Sequence, residues 1–172
     1  MALSASARAP AAIDPYEFRE TLGRFATGVA FVTAMPGGKP AGLIVNSLTS
    51  VSLEPPLVAF CPARSSLTWQ RMRRTGRFAV NVLARQHEDF VRRASPAGTD
   101  RFAGIDWELG AGGAPLLTGA LAALECEIAT EHAAGDHWIV VGLVDGLRTR
   151  QVGQPLTFFD GRFGTVAPVS ER

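Results

Sequence analysis

The hydrophobic pattern of the chain begins with one amphipathic helix. The stretch DPYE, residues 14–17, supplies a capping residue, a proline at the first helical position and a capping-box acid. Apolar side chains then recur at helical spacing, at Phe18, Leu22 and Phe25. The pattern predicts a helix that ends near Gly28 and has one apolar face that must pack against something.

The rest of the pattern is typical of an antiparallel β protein. The β-rich VAFVTA and the apolar GLIV flank the turn-forming PGGKP, which predicts a hairpin. Further strands are predicted at residues 57–61, 78–83, 121–131, 138–149 and 156–159, and helices at 66–74 and 86–94. Short links favour antiparallel pairing, and long crossovers are too few for a doubly wound sheet. We therefore expect a mainly β fold, a closed or nearly closed antiparallel β-barrel with flanking helices.

The same pattern sets the expected domain boundaries. Residues 1–13 are rich in Ala, Ser and Pro and lack the apolar core of a secretory signal, which predicts a flexible N-terminal tail. One domain follows over residues 14–166, and residues 167–172 are expected to form a C-terminal tail. The glycine-rich LGAGGAP, residues 109–115, is interpreted as a loop, because it lacks the spacing and helix of a dinucleotide-binding glycine loop.

Composition narrows the classes of partner. Apolar residues make up 47% and charged residues 19%, and a net charge of +1 gives no long-range field for attracting polyanions. The longest apolar run, residues 138–144, is far shorter than the ~20 residues of a membrane span. Cys61 and Cys126 form no CxxC pair, so neither a disulfide framework nor a zinc site is predicted. We expect a cytoplasmic protein that binds no nucleic acid, membrane or metal.

Uncharged polar side chains are concentrated in residues 45–53, which we call the polar ribbon. Its apolar positions fit neither a period of 2 nor one of 3.6, so the ribbon is expected to kink. Neutral hydrogen-bonding groups suit the edge of a polar ring, and the ribbon offers them at Asn46, Ser47, Thr49, Ser50 and Ser52. A β-bend with a purely structural role is the alternative.

A second polar group follows the strand predicted at residues 57–61. Arg64, Ser65 and Ser66 immediately precede a predicted helix, where free N–H groups favour a phosphate. The alternative is an ordinary N-capped helix. No GxSxG motif is present and the histidines lack metal-ligand spacing, so neither a hydrolase triad nor a metal site is predicted. A scarcity of catalytic acids and bases is expected where an organic cofactor carries the electrons.

The order of several segments resembles the flavin reductase family. Between residues 14 and 163 these segments are FATGVAFVTA, GLIVNSLTSVSLEPPLVAFC, FAVNVL, DRFAGIDW, PLLTGALAALECEI, GDHWIVVGLV and PLTFFDGRF. The resemblance implies an FMN-binding split β-barrel that forms a homodimer, with FMN or FAD near the subunit interface. NADH or NADPH would give a hydride to the flavin, and reduced flavin would pass to a separate flavin-dependent monooxygenase.

The resemblance also assigns roles to residues by position. The family's flavin-contacting residues match Asn46, Ser47 and Ser50; Cys61 would line the ring, and Ser65 and Ser66 would meet the phosphates. His137 would lie beside the nicotinamide and position it, with Phe163 at the same mouth. Together with the polar groups above, the candidate flavin-binding residues are Ile44, Val45, Asn46, Ser47, Thr49, Ser50, Cys61, Arg64, Ser65, Ser66 and Asn81.

Three of these positions carry open questions. Ile44 stands where relatives commonly have a threonine whose hydroxyl lies near the flavin. Loss of that hydroxyl would weaken flavin binding about two- to tenfold. Asn81 is an isolated amide in a predicted strand, so a buried, hydrogen-bonded structural residue is an equal alternative to a flavin contact. His137 follows a tight turn at residues 135–136, and without the resemblance it would be interpreted as an ordinary surface residue.

These observations favour an NAD(P)H:flavin oxidoreductase. Two alternatives are a flavin-binding protein without turnover and an enzyme that retains its flavin and acts directly on an organic substrate. A nicotinamide site at His137 and Phe163 favours a reductase over a carrier. Ile44 slightly favours the flavin-retaining enzyme. The choice between FMN and FAD, and between NADH and NADPH, stays open.

Overall fold

The computed structural model describes residues 13–95, 99–149 and 153–167. Apart from Ile13 and Ala167, the two predicted tails lie outside these residues. The helices are α1 Pro15–Leu22, α2 Leu67–Met72 and α3 Glu88–Ala94. The strands are β1 Thr27–Gly28, β2 Ala30–Ala34, β3 Ala41–Val45, β4 Thr49–Leu53, β5 Pro56–Phe60, β6 Arg77–Val82, β7 Trp107–Leu109, β8 Pro115–Leu117, β9 Ala122–Ala134, β10 His137–Thr149, β11 Thr157–Phe159 and β12 Arg162–Gly164. None of the described helices is long and apolar enough to cross a bilayer.

Seven antiparallel strands form the main sheet, in the order β3-β2-β6-β9-β10-β5-β4. Its two edge strands, β3 and β4, are consecutive in the chain and are joined only by residues 46–48. A flat seven-stranded sheet would hold its edges about 29 Å apart, whereas this connection can span only about 14 Å. The sheet must therefore curl until its edges face each other without pairing, which confirms the predicted antiparallel fold and is the geometry of a split barrel.

One core fills the inside of the curled sheet. Phe60 makes edge-to-face contacts with Trp69 and Phe78, at ring-centroid distances of 5.2 and 5.3 Å. Trp69 and Met72 come from α2 and are completely buried. Burying side chains of this size contributes about 1.5–3 kcal/mol each, so α2 is fixed to the sheet by its own apolar face.

A second core lies on the other face of the sheet, under α3. Phe31 packs against Phe90 of α3 at 5.2 Å, with Val91, Leu83 and Leu156 around them. Strand β2 is buried on both faces, since its alternate residues enter the two cores. This explains why VAFVTA is continuously apolar and does not alternate.

Helix α1 differs from its prediction in length. Asp14 caps it as predicted, accepting hydrogen bonds from Tyr16 and Glu17 backbone N–H groups. The helix ends at Leu22 and not near Gly28, because residues 27–28 already form β1 and pair with β11. Its apolar side chains were expected to pack, yet Phe18, Leu22 and Phe25 are 55%, 56% and 76% exposed in the single chain. The described part of the single chain therefore leaves the apolar face of α1 uncovered.

The polar ribbon is kinked, as its irregular pattern predicted. Strand β4 pairs with β5, and the register shifts between Ser50 and Ser52, so Val51 forms a bulge. The glycine-rich segment is a loop, as predicted, but Leu109 and Pro115 at its ends pair as β7 and β8. Strands of two or three residues, such as β1, β7 and β12, are too short to produce a recognisable period in the sequence.

Candidate functional site

The connection between the two edge strands is fixed to the end of β5. Ser47 Oγ accepts a hydrogen bond of 2.9 Å from the Cys61 backbone N–H. Asn46 is exposed, whereas Ser47 is half-buried. The structure thus brings together two parts of the predicted site, the polar ribbon and Cys61, which are separated by more than a strand in the sequence.

A cavity of about 590 Å³ lies along one side of the ribbon, and we call it the ribbon cavity. Asn46, Ser47 and Thr49 give it a neutral polar wall, and α1, Thr27 and Phe158 lie opposite. Thr27 Oγ1 is buried and has no hydrogen-bond partner. A planar ring with polar edges fits such a cavity, because ligand sites combine apolar walls with a few placed polar groups. Ser50 is exposed on β4 and does not line it.

Ile44 and Phe163 line a separate cavity of about 210 Å³. Val45 and Asn46 also line it, so Asn46 is shared with the ribbon cavity. Phe163 packs against Phe158 at 5.4 Å. The Ile44 side chain therefore faces an apolar space beside the ribbon, where the family's threonine would have presented a hydroxyl.

A third cavity, of about 1020 Å³, is lined by residues that follow Cys61 in the chain, and we call it the arginine basin. Its lining includes Arg64 and Ser65, as well as Arg73 and Arg74 from the turn after α2. Trp138 contributes the apolar part of the wall. Arg73 is engaged with Glu131, so Arg64 and Arg74 are the guanidinium groups suited to a phosphate, which guanidinium binds in a bidentate manner.

The turn at residues 135–138 is bonded to the segment that follows β5. Trp138 N–H donates to Pro62 O and Arg64 N–H donates to Asp136 O, both at 2.9 Å. The Arg64 guanidinium also donates to Gly135 O at 3.1 Å. These bonds place His137 at the rim of the arginine basin, next to the residues predicted to meet a phosphate.

His137 is held by its neighbour in the turn. Its Nδ1 lies 2.7 Å from Asp136 Oδ1, and 45% of its side chain is exposed. The hydrogen bond from His137 and its charge keep the pKa of the Asp136 carboxyl below the usual range. The carboxylate orients the imidazole through Nδ1, so that Nε2 can bond a ligand.

Arg73 and Trp138 form a rigid wall of the basin. Arg73 donates two hydrogen bonds to Glu131, at 3.1 and 2.6 Å, and Trp69 Nε1 donates to the other carboxylate oxygen at 3.1 Å. The Arg73 guanidinium lies 4.7 Å from the centre of the Trp138 ring, and that of Arg64 lies 5.5 Å from it. Glu131 thus holds the Arg73 guanidinium in place against the Trp138 ring.

Ser66 caps α2 by accepting a hydrogen bond from Trp69 N–H at 3.2 Å, which is the role that was the alternative to a phosphate contact. The helix has only six residues, so its dipole adds little to anion binding. Charge in this region comes instead from the arginine side chains. Ser65 is exposed and lines the basin, whereas Ser66 does not line it.

The two cysteines are neutral thiols in the folded chain. Burial raises the pKa of Cys61, and it raises the pKa of the fully buried Cys126 to about 12. A protonated thiol at the end of β5 is a small, weakly polar group that can lie against a ring, and it is a poor nucleophile. No group of three or more His, Cys, Asp or Glu suited to a metal occurs in the described part of the chain.

Asn81 is a buried, hydrogen-bonded structural residue, which was the alternative to a flavin contact. It is completely buried, and its amide donates to Phe31 O at 3.1 Å and Thr33 Oγ1 at 3.2 Å. Its Oδ1 accepts from Leu117 N–H at 2.8 Å. Because protein groups already use its hydrogen-bonding capacity, we remove Asn81 from the flavin-binding residues. It ties β6 to β2 and β8.

The predicted residues that line a cavity are therefore divided between three cavities. Five line none of them: Ser50, Cys61, Ser66, Asn81 and His137. Arg64, Ser65 and the 135–138 turn meet at the arginine basin, whereas Phe163 lies with Ile44 and not with His137. Sequence reasoning missed Arg73, Arg74 and Trp138, since α2 and the β9–β10 hairpin meet only in the fold. It also missed Thr27, although this hydroxyl stands out in the otherwise apolar FATGV.

Comparison with known proteins identifies what the chain is similar to. Residues 22–167 match the family described as "Flavin reductase like domain". A flavin reductase of Pseudomonas putida is 43% identical, over 92% of this chain and 94% of that protein. The reductase subunit HsaB of a flavin-dependent monooxygenase from Rhodococcus jostii is 42% identical, over 91% and 80%. The NADH:FAD oxidoreductase SgcE6 of Streptomyces globisporus, solved with NAD and FAD fragments, superposes with a TM-score of 0.86 at 38% identity, over 94% of this chain and 99% of that one.

Proposed function

Because the chain belongs to the flavin reductase-like domain family, we propose that it is an NADH-dependent flavin reductase that supplies reduced FMN or FAD to a separate monooxygenase. The observation that carries the proposal is the family match, whose range of residues 22–167 nearly coincides with the proposed domain at 14–166. The polar ribbon and the arginine basin support it, since one suits a ring edge and the other a phosphate.

The residues of the chain fit a flavin. Asn46, Ser47 and Thr49 would hold the polar edge of the ring in the ribbon cavity, where the unpartnered Thr27 hydroxyl is also available. Arg64 and Ser65 would hold the phosphate. A bound flavin would supply the redox chemistry, by accepting a hydride from the nicotinamide. The protein would contribute orientation and exclusion of water, which is how a site accelerates a reaction whose bonds change within the ligands.

Release of reduced flavin requires that its affinity be limited. Ile44 gives the cavity beside the ribbon an apolar wall, and it removes at most one hydrogen bond to the flavin, about 0.5–1.5 kcal/mol. Weaker binding suits a reductase that treats flavin as a substrate. Because Ile44 also departs from the threonine common in relatives, it is the observation that favours the second candidate function, an enzyme of changed chemistry that retains its flavin and acts on an organic substrate.

NADH consumption measured with and without excess free flavin tests the proposal. We expect a rate that rises with added FMN or FAD and then saturates, because a reductase of this kind turns over free flavin. A rate that depends only on flavin retained through purification would favour the second candidate. No NADH oxidation with either flavin would overturn the proposed activity.

We also propose a homodimer with the flavin near its interface and a cytoplasmic location. The exposed apolar side chains of α1 support the dimer, since Tyr16, Phe18 and Leu22 find no cover in the single chain. They adjoin the ribbon cavity, of which Leu22 is part of the lining. Free thiols at Cys61 and Cys126 suit a reducing compartment.

Sedimentation at micromolar concentration is expected to give twice the mass of one chain. The double variant Phe18→Glu, Leu22→Glu should shift the protein to monomers, since two charges would enter the apolar interface. It should keep its fold, because neither side chain is buried in the single chain. A wild-type monomer with full flavin reduction would contradict the dimer.

His137→Ala is expected to raise the KM for NADH several-fold and to leave flavin affinity nearly unchanged. The imidazole, oriented by Asp136, would offer the nicotinamide one neutral hydrogen bond, worth about 0.5–1.5 kcal/mol. Hydride transfer itself requires alignment and no proton from the protein. Steady-state kinetics with NADH and flavin varied separately measure both constants. A fall in kcat of ~10²–10⁴ would instead assign His137 the role of proton donor.

A further inference from the structure

The ribbon cavity contains one charged side chain. Of the described residues that line it, Arg19 of α1 is the only one with an ionisable group. The other lining residues are glycines, apolar residues and the neutral polar residues Thr27, Asn46, Ser47 and Thr49. Because no carboxylate of the lining offsets the guanidinium, the cavity has a positive electrostatic potential.

The Arg19 guanidinium is available to a ligand. Among the residues that the structure describes, it forms neither a hydrogen bond nor an ion pair, whereas the guanidinium of Arg24 lies 3.6 Å from the Asp160 carboxylate. Leu22 and Gly23, three and four positions after Arg19, line the same cavity. Residues at this spacing share one face of a helix, so α1 turns the face that carries Arg19 toward the ribbon.

Reduction changes the charge of a flavin ring. As a hydride moves from nicotinamide C4 to flavin N5, the C–H bond breaks, an N–H bond forms, and two electrons pass to the flavin. The nicotinamide becomes cationic. The flavin ring, neutral before the step, gains one negative charge that is spread over N1 and the C2 carbonyl oxygen. A cation beside that edge stabilises the product and, in part, the transition state, but it interacts weakly with the oxidised ring.

We propose that Arg19 contacts the N1 and C2 edge of the flavin ring and stabilises the reduced, anionic flavin relative to the oxidised one. This role rests on the proposed function, which places a flavin ring in the ribbon cavity. Asn46, Ser47 and Thr49 supply neutral hydrogen bonds that serve both states of the ring, whereas Arg19 responds to the charge that only reduction creates. Arg19 thus raises the reduction potential of the bound flavin and favours hydride transfer to it.

Arg19→Gln tests this role. Oxidised FMN, and FMN reduced beforehand with dithionite, are each titrated into the full chain by calorimetry in the absence of oxygen. Arg19→Gln is expected to bind reduced FMN about five- to twentyfold more weakly and oxidised FMN within about twofold of wild type, since a unit charge partly exposed to water contributes on this scale. The change in the ratio of the two affinities lowers the two-electron reduction potential of bound FMN by about 20–40 mV.

Two further variants separate the charge of Arg19 from its other properties. Arg19→Lys keeps the positive charge and is expected to recover most of the affinity for reduced FMN. Arg24→Gln is the matched control, because Arg24 is an exposed arginine five positions further on that does not line the ribbon cavity. Its ion pair with Asp160 is exposed, so its loss should leave both affinities within about twofold of wild type.

The two states of FMN carry the same phosphate, so a phosphate contact would change both affinities alike. Equal weakening of oxidised and reduced FMN in Arg19→Gln, or no change in either, would overturn the role of Arg19. The titrations use no NADH. A protein that shows the expected charge effect but oxidises no NADH would contradict the proposed function and not the role of Arg19, whereas a wild type that binds neither state would contradict both.

Discussion

Replacing Asn81 by alanine is expected to lower the free energy of unfolding by about 2–4 kcal/mol and to leave the flavin affinity of the folded protein unchanged. The side chain is completely buried, and its Oδ1 accepts the hydrogen bond of the Leu117 N–H at 2.8 Å. Truncation would leave this N–H and the acceptors on β2 without their partner. Each buried polar group left unpaired costs about 1–3 kcal/mol.

Asn46→Ala is the matched control, because Asn46 and Asn81 are the only asparagines in the sequence. Asn46 is exposed, so its removal should change stability by less than about 0.5 kcal/mol. It lines the ribbon cavity, so flavin affinity should fall two- to tenfold, the equivalent of one hydrogen bond. Urea unfolding and flavin titration measure the two effects. A stable Asn81→Ala protein with weakened flavin binding would return Asn81 to the flavin site.

Replacing Arg64 by glutamate is expected to weaken flavin binding about 100-fold, the equivalent of about 2.7 kcal/mol. A hydrogen bond between charged groups contributes about 1.5–3 kcal/mol, and the new carboxylate would also repel the phosphate. Arg64→Gln removes the charge without reversing it, so its affinity should lie between the two. The loss should shrink as salt is added, because salt screens exposed charges.

Arg93→Glu makes the same change of charge at an exposed position of α3, outside the arginine basin. Its flavin affinity should stay within twofold of wild type. Fluorescence titration at two salt concentrations measures all three variants. Equal losses in Arg64→Glu and Arg93→Glu would show that net charge, and not a phosphate contact, determines the affinity.

The sequence predicts the elements of the fold better than their arrangement. Strands β2, β6 and β10 were predictable because each is rich in β-branched and aromatic residues. Strand β9 was predictable from its alternation, with Leu124, Cys126 and Ile128 separated by glutamates. The order of the seven strands was not, since β2 pairs with β6 across some fifty residues and no local pattern records a distant partner. The apolar face of α1 was predicted to pack against something. A helical period of 3.6 identifies such a face, but it does not show whether the face packs within its own chain or against a second chain.

The candidate site was predictable where its residues are adjacent in the sequence. The polar ribbon is recognisable because five neutral polar groups interrupt an apolar pattern. The arginine basin is not, because Arg73 and Trp138 come from elements about sixty-five residues apart. Asn81 shows a different limit. An amide within a strand has the same sequence signature whether it contacts a ligand or a buried backbone, and only its hydrogen-bond partners distinguish the two.

The order of strands in the sheet has a consequence for how the chain folds. Three of its hairpins, β2–β3, β4–β5 and β9–β10, are local in the sequence. They are joined by β6, which pairs with β2 and β9, and by the pairing of β10 with β5, whose paired residues lie some eighty positions apart. High contact order of this kind slows folding to the millisecond-to-second range. The ribbon meets Cys61 within the β4–β5 hairpin, but His137 joins them only when β5 docks on β10. Flavin can therefore stabilise the completed sheet but cannot guide its early assembly.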